Sequence, residues 1–201
     1  MIFNPSNLEL RLEDILLKAK DFSTVINVGG SLGAKELEGI THYADLQTPQ
    51  FPTDRRVFLT DISNPLTWNE IILWVSKHKK FDYSVCTQTL EHVHSIEIAL
   101  TFLSQISNQG FITVPSKYTE LKKGVSYSNE GLIRCNMKEH FRGFLPHKWI
   151  FTIKEENVLW AFPKLNFIEY MDLPWVDARQ PSCELSFEWK DTIPYVEIGD
   201  T

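Results

Sequence analysis

The stretch Thr24-Val25-Ile26-Asn27-Val28-Gly29-Gly30-Ser31-Leu32-Gly33-Ala34 decides how the rest of the chain reads. Thr24 to Val28 is a short β-branched run, which predicts a buried strand. The run breaks at a glycine pair, so the strand ends in a turn with bare backbone. Such a turn presents main-chain amides where a following helix starts, and suits a ligand that approaches the backbone closely. A dinucleotide fingerprint would read G-x-G-x-x-G. Val28 stands where its first glycine belongs and only Gly30 and Gly33 match, so a nicotinamide-dependent oxidoreductase is the weakest reading of the turn.

Working outward, residues 7–22 predict a helix, with Leu8, Leu12, Ile15, Leu16 and Ala19 at helical spacing and Ser6 or Asn7 as cap. Strands are expected at His42 to Leu46, Arg56 to Thr60, Tyr83 to Cys86 and Phe111 to Val114, the last stopped by Pro115. Helices are expected at Pro65 to Lys77 and Glu91 to Ser107. Alternation of this kind predicts an α/β fold: a mainly parallel sheet with helices on both faces and ligand-binding loops at the carboxyl ends of the strands. The short spacing from Gly33 to Asp45 leaves room for a truncated helix or turn only. After Pro115 the pattern changes. Residues 116–148 read as a lid or insertion. Trp149 to Ile153 and Val158 to Phe162 read as a hairpin around Lys154 to Asn157, and Glu184 to Trp189 and Tyr195 to Ile198 as further strands. This β-rich extension is expected to lengthen the sheet with antiparallel strands. The chain reads as one domain over residues 1–201: an N-terminal helix (1–22), a cofactor-binding core (23–115), the lid (116–148) and the β-rich part (149–201).

Composition sets the boundaries of function. With 201 residues, 43% hydrophobic and 23% charged, the chain is expected to fold around a sizeable core. A net charge of −6 disfavours a dedicated duplex-DNA binder, and no nucleic-acid partner is expected. Cys86, Cys135 and Cys183 are scattered without CxxC spacing, so neither a zinc cage nor a disulfide framework is expected, and no metal site. The first residues carry charges throughout and no run approaches about 18 apolar residues. Neither a secretory signal nor a membrane span is expected, and a cytoplasmic setting is the default.

Two strand-end acids sharpen the picture. Asp45 closes the second strand and Asp61 the third. A carboxylate at the second position can accept both hydroxyls of a ribose. One at the third can accept an adenine's exocyclic amine, with Ile62 against the ring face. Either acid could equally serve its own turn. Together with the glycine turn they outline a pocket for an adenosine moiety.

On these residues the chain resembles the class I S-adenosylmethionine-dependent methyltransferases. The resembling segments are VINVGGSLGA, THYADL, RVFLTDISNP, FDYSVCTQTLEHV and GFITVP, over about residues 23–115. FDYSVCTQTLEHV is the most specific, and its TLEHV form is similar to the small-molecule branch. HFRGFLPHKWIF resembles a lid-and-hairpin element of some of those enzymes. The resemblance implies a Rossmann-like fold, S-adenosyl-L-methionine as cofactor, and cofactor contacts from Asn27, Gly29, Gly30, Ser31, Gly33, Asp45, Leu46, Asp61, Ile62, Thr87 and Gln88. It implies methyl transfer to a small-molecule acceptor, a sugar or other metabolite. Two positions depart from the family pattern: Asn27 stands where an acid is usual and Ser31 where a glycine is usual. They motivate a second reading, a methyltransferase-like domain that has lost catalysis and serves as an interaction or regulatory subunit.

Methyl transfer to a hydroxyl or amine is helped by a base within hydrogen-bond reach. His92 and His94 follow the fourth strand, at the edge where an acceptor would sit, and His92 is the first choice for a base or substrate-facing role. Its alternative is to position the helix start together with Glu91. His140 and His147 flank Arg142 in the lid, where they could bind an anionic acceptor or simply be solvated. The alternating aromatics Trp149, Phe151, Trp160 and Phe162 fit a core or a homodimer face better than a ligand box.

Overall fold

The computed structural model describes residues 17, 19–29, 37–49, 51, 53–121, 143–144, 146–154, 157–165, 168 and 184–199. Strands β1 (Val25–Val28), β2 (His42–Asp45) and β3 (Arg56–Leu59) are followed by helix α1 (Asn69–His78), β4 (Tyr83–Thr87), helix α2 (Ile96–Ile106) and β5 (Gln109–Pro115). Then come β6 (Trp149–Lys154), β7 (Val158–Pro163), β8 (Glu184–Lys190) and β9 (Tyr195–Glu197). The main sheet has the order β3-β2-β1-β4-β5-β8. β1 to β5 run parallel and β8 is antiparallel on the β5 edge. This is the α/β, Rossmann-like sheet that the alternation predicts. β2 and β4 lie on opposite sides of β1, so the chain leaves the sheet in opposite directions there, and a crevice opens beyond the carboxyl ends of β1 and β4.

Side-chain alternation divides the core in two. Ile26, Val28, Ala44, Phe58, Cys86, Ile112 and Val114 turn to one face, under α1 and α2. Val25, Tyr43, Tyr83, Val85 and Phe111 turn to the other, where Ala19 and Phe22 pack. α2 alone buries Ile96, Leu100, Phe102, Leu103 and Ile106, each worth up to about 1.5–3 kcal/mol of transfer free energy. Most of the helix expected over 7–22 lies outside the described residues, as do residues 122–142 of the expected lid.

Three expectations need correction. The helix expected from Pro65 divides into a 3-10 turn at Pro65–Thr67, capped by Asn64, and α1 proper. The helix expected from Glu91 starts instead at Ile96. Leu90–His92 is a separate 3-10 turn, Val93 is extended, and Ser95 is the cap, its Oγ accepting from the Ile98 amide at 3.2 Å. Glu91 and His92 therefore do not cap α2. The hairpin β6-β7 does not extend the main sheet. It forms a second sheet with β9, which runs parallel to β7. The physical reason is occupancy: β8 pairs with β5 along its whole length, Pro115 opposite Glu184 to Gln109 opposite Lys190.

The hairpin register also separates the aromatics. Phe151 lies opposite Ala161 and Thr152 opposite Trp160. Trp149 and Phe151 thus share the face that joins the core, while Trp160 and Phe162 share the other, where Lys154 lies 3.5 Å from the Trp160 ring centre. Among the described residues, no helix is long and apolar enough to cross a membrane.

Two predictions follow from packing. Ser84, Gly110 and Trp189 form one cross-strand row. A Cβ on Gly110 would stand 2.3 Å from Ser84 Oγ and 2.9 Å from Trp189 Nε1. Gly110→Ala should lower stability by about 1–3 kcal/mol in urea unfolding, whereas Gly199→Ala, with nothing within 4 Å of its Cβ, should leave it unchanged. His42 packs edge-on against Trp74 and Phe81, and burial, with the Arg56 charge and His78, lowers its pKa from 6.5 to about 4. Below pH 6.5 the unfolded chain takes up a proton that the folded chain refuses, so this contribution is intact above 6.5 and is lost as pH falls toward 4. Thermal melts from pH 7 to 5 should show a steeper decline for the native protein than for His42→Phe.

Candidate functional site

The carboxyl ends of β1 to β4 meet around one cavity of about 510 Å³, within the usual range of roughly 300–1,000 Å³ for small-molecule sites. Its floor is set by the glycine turn. Gly29 has φ +73° and its amide donates to the Ala44 carbonyl at 2.8 Å. A Cβ there would stand 2.2 Å from the Thr89 side chain, so the loops after β1 and β4 can close on each other only over a glycine. Thr89 Oγ in turn donates to the Thr87 carbonyl at 2.9 Å.

Both strand-end acids reach this cavity, together with Leu46 and Ile62. Each also serves its own turn. Asp45 is 7% exposed, and its Oδ1 accepts from the Leu46 amide at 2.6 Å. Asp61 Oδ1 accepts from the Ser63 amide and hydroxyl at 2.8 and 2.7 Å. Asp61 Oδ2 takes no partner among the described residues. The turn role and the ligand role thus coexist: one oxygen holds the loop's shape while the carboxylate borders the cavity. Gln88 borders it with φ +50°, its amide hydrogen-bonded to Glu184 on β8.

Other expected contacts fall elsewhere. Thr87 is absent from the lining, and Thr89, two residues on, takes that place, because β4 runs one residue longer than expected and carries the wall forward. Asn27 is 1% exposed on the face away from α1 and α2 and does not line the cavity; neither of its amide atoms has a hydrogen-bond partner among the described residues. Gly30, Ser31, Gly33 and His140 lie outside the described residues. Cys86 is fully buried, and burial raises its thiol to about 12, so it is inert at neutral pH.

At the far end of the cavity stands His92. Desolvation of its ring and then the neighbouring His147 lower its pKa from the ordinary histidine value. The His147 ring lies edge-on to it, centroids 4.7 Å apart. The tertiary link is short. The Lys148 amide donates to the Glu91 carbonyl at 2.7 Å, and the Trp149 indole donates to the Val93 carbonyl at 2.9 Å. These two bonds dock the start of β6 on the Leu90–His92 turn and set His147 beside His92. His147 is 5% exposed and its Nδ1 lies 2.6 Å from the Glu120 carboxylate. The expected role of His147 in a solvated, anion-binding lid is therefore corrected: it is buried against a carboxylate, which repels an anion.

Glu91 completes the group. It is 0% exposed, and neither carboxylate oxygen has a hydrogen-bond partner among the described residues. Burial, with the charges of Glu120 and Glu184 behind it, pushes its carboxyl up to about 8. A buried carboxyl without partners is costly, and a cation is one of the few occupants that would relieve it. Glu91, His92 and His147 each offer one donor atom, all within 4.8 Å of one another. One carboxylate oxygen and two imidazole nitrogens suit a divalent first-row ion, if the three draw slightly together. The sequence reading expected no metal site and missed this trio, because the adjacent Glu91-His92 pair finds its third member 55 residues away.

The donor set predicts that Co²⁺ binds the folded protein and produces the visible absorption of a nitrogen- and oxygen-ligated ion. Glu91→Gln, which keeps the volume and removes the anionic ligand, should weaken that binding at least about tenfold. Equal affinity in the variant would remove Glu91 from the set.

No protein-family model and no curated protein matches the chain. Among solved structures, the methyltransferase domain of bacterial CtHen1-CN is similar, with a TM-score of 0.44 and 12% identity over 93% of this chain and 100% of that one. A likeness at that level says nothing of chemistry, which rests on the site's own geometry.

Proposed function

We propose that this protein binds S-adenosyl-L-methionine in the cavity beyond β1–β4 and transfers its methyl group to a small-molecule acceptor, a sugar or other metabolite, held at the His92 end. The observation that supports this most is the convergence of Gly29, Asp45, Asp61 and Ile62 on one cavity whose opposite end carries His92. Asp45 would accept the ribose hydroxyls. Asp61 would accept the adenine amine, with Ile62 against the ring. The bare backbone at Gly29 would let the chain of the cofactor pass close to the sheet edge.

The cofactor supplies an electrophilic methyl carbon on a sulfonium, so the protein's part is positioning and electrostatics. An acceptor oxygen or nitrogen forms the new bond to that carbon, the carbon–sulfur pair stays on sulfur, and the acceptor gives up a proton. His92 and Lys148 border the acceptor end, and His94 lies 3.1 Å from the Lys148 ammonium across its mouth. Glu91, His92 and His147 would hold a cation there, which would supply Lewis-acid polarisation of the acceptor.

A second reading has its own support. Asn27 supplies no charge and does not line the cavity, so the acid usual at that position has no counterpart. On that reading the domain is a non-catalytic interaction subunit, and a folded sample binds neither S-adenosylmethionine nor S-adenosylhomocysteine.

Calorimetric titration separates the two. The leading reading predicts micromolar binding of both compounds by the native chain. Asp45→Ala should weaken it tenfold or more, since a hydrogen bond to a charged group is worth about 1.5–3 kcal/mol. Unchanged affinity in the variant would sink the assignment of this cavity.

A further inference from the structure

Lys148 differs from the other charged groups in what it meets. Lys20, Arg56, Lys79 and Lys164 each hold a carboxylate within 3.0 Å. The Lys80 ammonium is taken by the Ser104 carbonyl, and that of Lys154 by the Trp160 ring. Lys148 has no carboxylate partner among the described residues, and its side chain meets a second basic group instead. Its Nζ lies 3.1 Å from His94 Nε2 and 3.2 Å from His94 Nδ1. Both residues border the cavity, at its His92 end. The backbone beneath them is fixed. The Lys148 amide donates to the Glu91 carbonyl, and the Lys148 carbonyl accepts from the Lys164 amide, both at 2.7 Å. His94 stands between Val93, whose carbonyl accepts the Trp149 indole, and Ser95, which caps α2.

We propose that Lys148 and His94 form a subsite for a phosphate group on the acceptor, so that the small molecule methylated here is a phosphate monoester. The acceptor's role rests on the methyl-transfer reading; the phosphate subsite itself does not. An ammonium carries three donors and no acceptor. The imidazole can take one, and the remainder have no protein acceptor among the described residues while bordering open cavity. The complement of such a group is an anion. The chain carries a net charge of −6, and the acids that line the cavity, Asp45 and Asp61, belong to the strand ends rather than to this wall, so the sign is reversed locally. Shape favours phosphate over carboxylate. A planar carboxylate is gripped best by the fork of a guanidinium, and the lining holds no arginine. An ammonium acts as a point charge and suits a phosphate, whose terminal oxygens diverge. A phosphate held there anchors one end of the acceptor and leaves its nucleophile to reach inward to the methyl carbon.

The test uses the cofactor-free protein and inorganic phosphate, followed by amide ¹H–¹⁵N shifts at constant ionic strength. Shifts at His94, Ser95 and Lys148 should saturate at about millimolar phosphate, and acetate should bind several-fold more weakly. Lys148→Met keeps the length and removes the charge, and should weaken phosphate binding about tenfold or more, whereas Lys148→Arg should stay within about threefold of the native protein. Lys154→Met removes the same charge from the other end of β6 and should change nothing. Phosphate affinity equal in the native protein and Lys148→Met, or lowered equally by Lys154→Met, would overturn the proposal, as would acetate binding as tightly as phosphate. Should Lys148→Met not fold, the native shifts decide: saturation at His94 and Lys148 supports the subsite, and its absence overturns it. Titration with S-adenosylmethionine is a separate measurement. A chain that binds phosphate at Lys148 but no cofactor keeps the subsite and loses the methyl-transfer reading.

Discussion

The loops after β1 and β4 run in contact at Gly29 and Thr89, and the site depends on that contact. Any side chain at position 29 would meet Thr89 at 2.2 Å and force the loops apart. The contact follows from strand order. With β2 on one side of β1 and β4 on the other, the connections leave in opposite directions, and only the turns remain to line the crevice between them. The two strand-end acids enter the same crevice because β2 and β3 are parallel neighbours of β1. Parallel register brings each carboxyl end to one edge.

The second constraint is the docking of β6 on the turn after β4. Two main-chain carbonyls, of Glu91 and Val93, receive the Lys148 amide and the Trp149 indole. Both acceptors lie between β4 and α2, Glu91 in a single 3-10 turn and Val93 in the extended residue after it, where no continuing helix or ladder satisfies them. The bonds therefore close the core over the sheet edge and also bring His147 beside His92. Packing and site are one device here. The price is a concentration of buried ionisable groups, Glu91, Glu120 and Lys164, which a merely structural core would avoid.

Electrostatics divides this region into two parts. Around Glu120 every charge finds an opposite charge or an imidazole within 3.0 Å. Around Glu91 the carboxylate oxygens find no partner among the described residues, and the carboxyl is pushed to about 8. One half is internally charge-paired, and the other holds a buried carboxyl with no partner among the described residues. That asymmetry distinguishes a binding group from a buried ion-pair network.

Much of this was legible in the residues alone. The run Val25 to Val28 before a glycine pair, Asp45 and Asp61 at strand ends, and the β4 strand before Leu90-Glu91-His92 determined the parallel sheet and the strand-end acids that border the cavity. Local alternation and turn chemistry specify strands and their ends, and parallel order does the rest. Tertiary structure alone decided the other end. No spacing rule joins Glu91 to His147, Glu120 to Lys164 or β8 to β5. Each pairing is closed by hydrogen bonds and burial between segments far apart in the chain. The same cause made Thr89 the wall in place of Thr87, gave the hairpin a sheet of its own, and turned His147 from an expected lid residue into a buried donor. A sequence records which groups are present at each strand end. Which of them share a buried space is fixed by long-range packing, which local pattern does not encode.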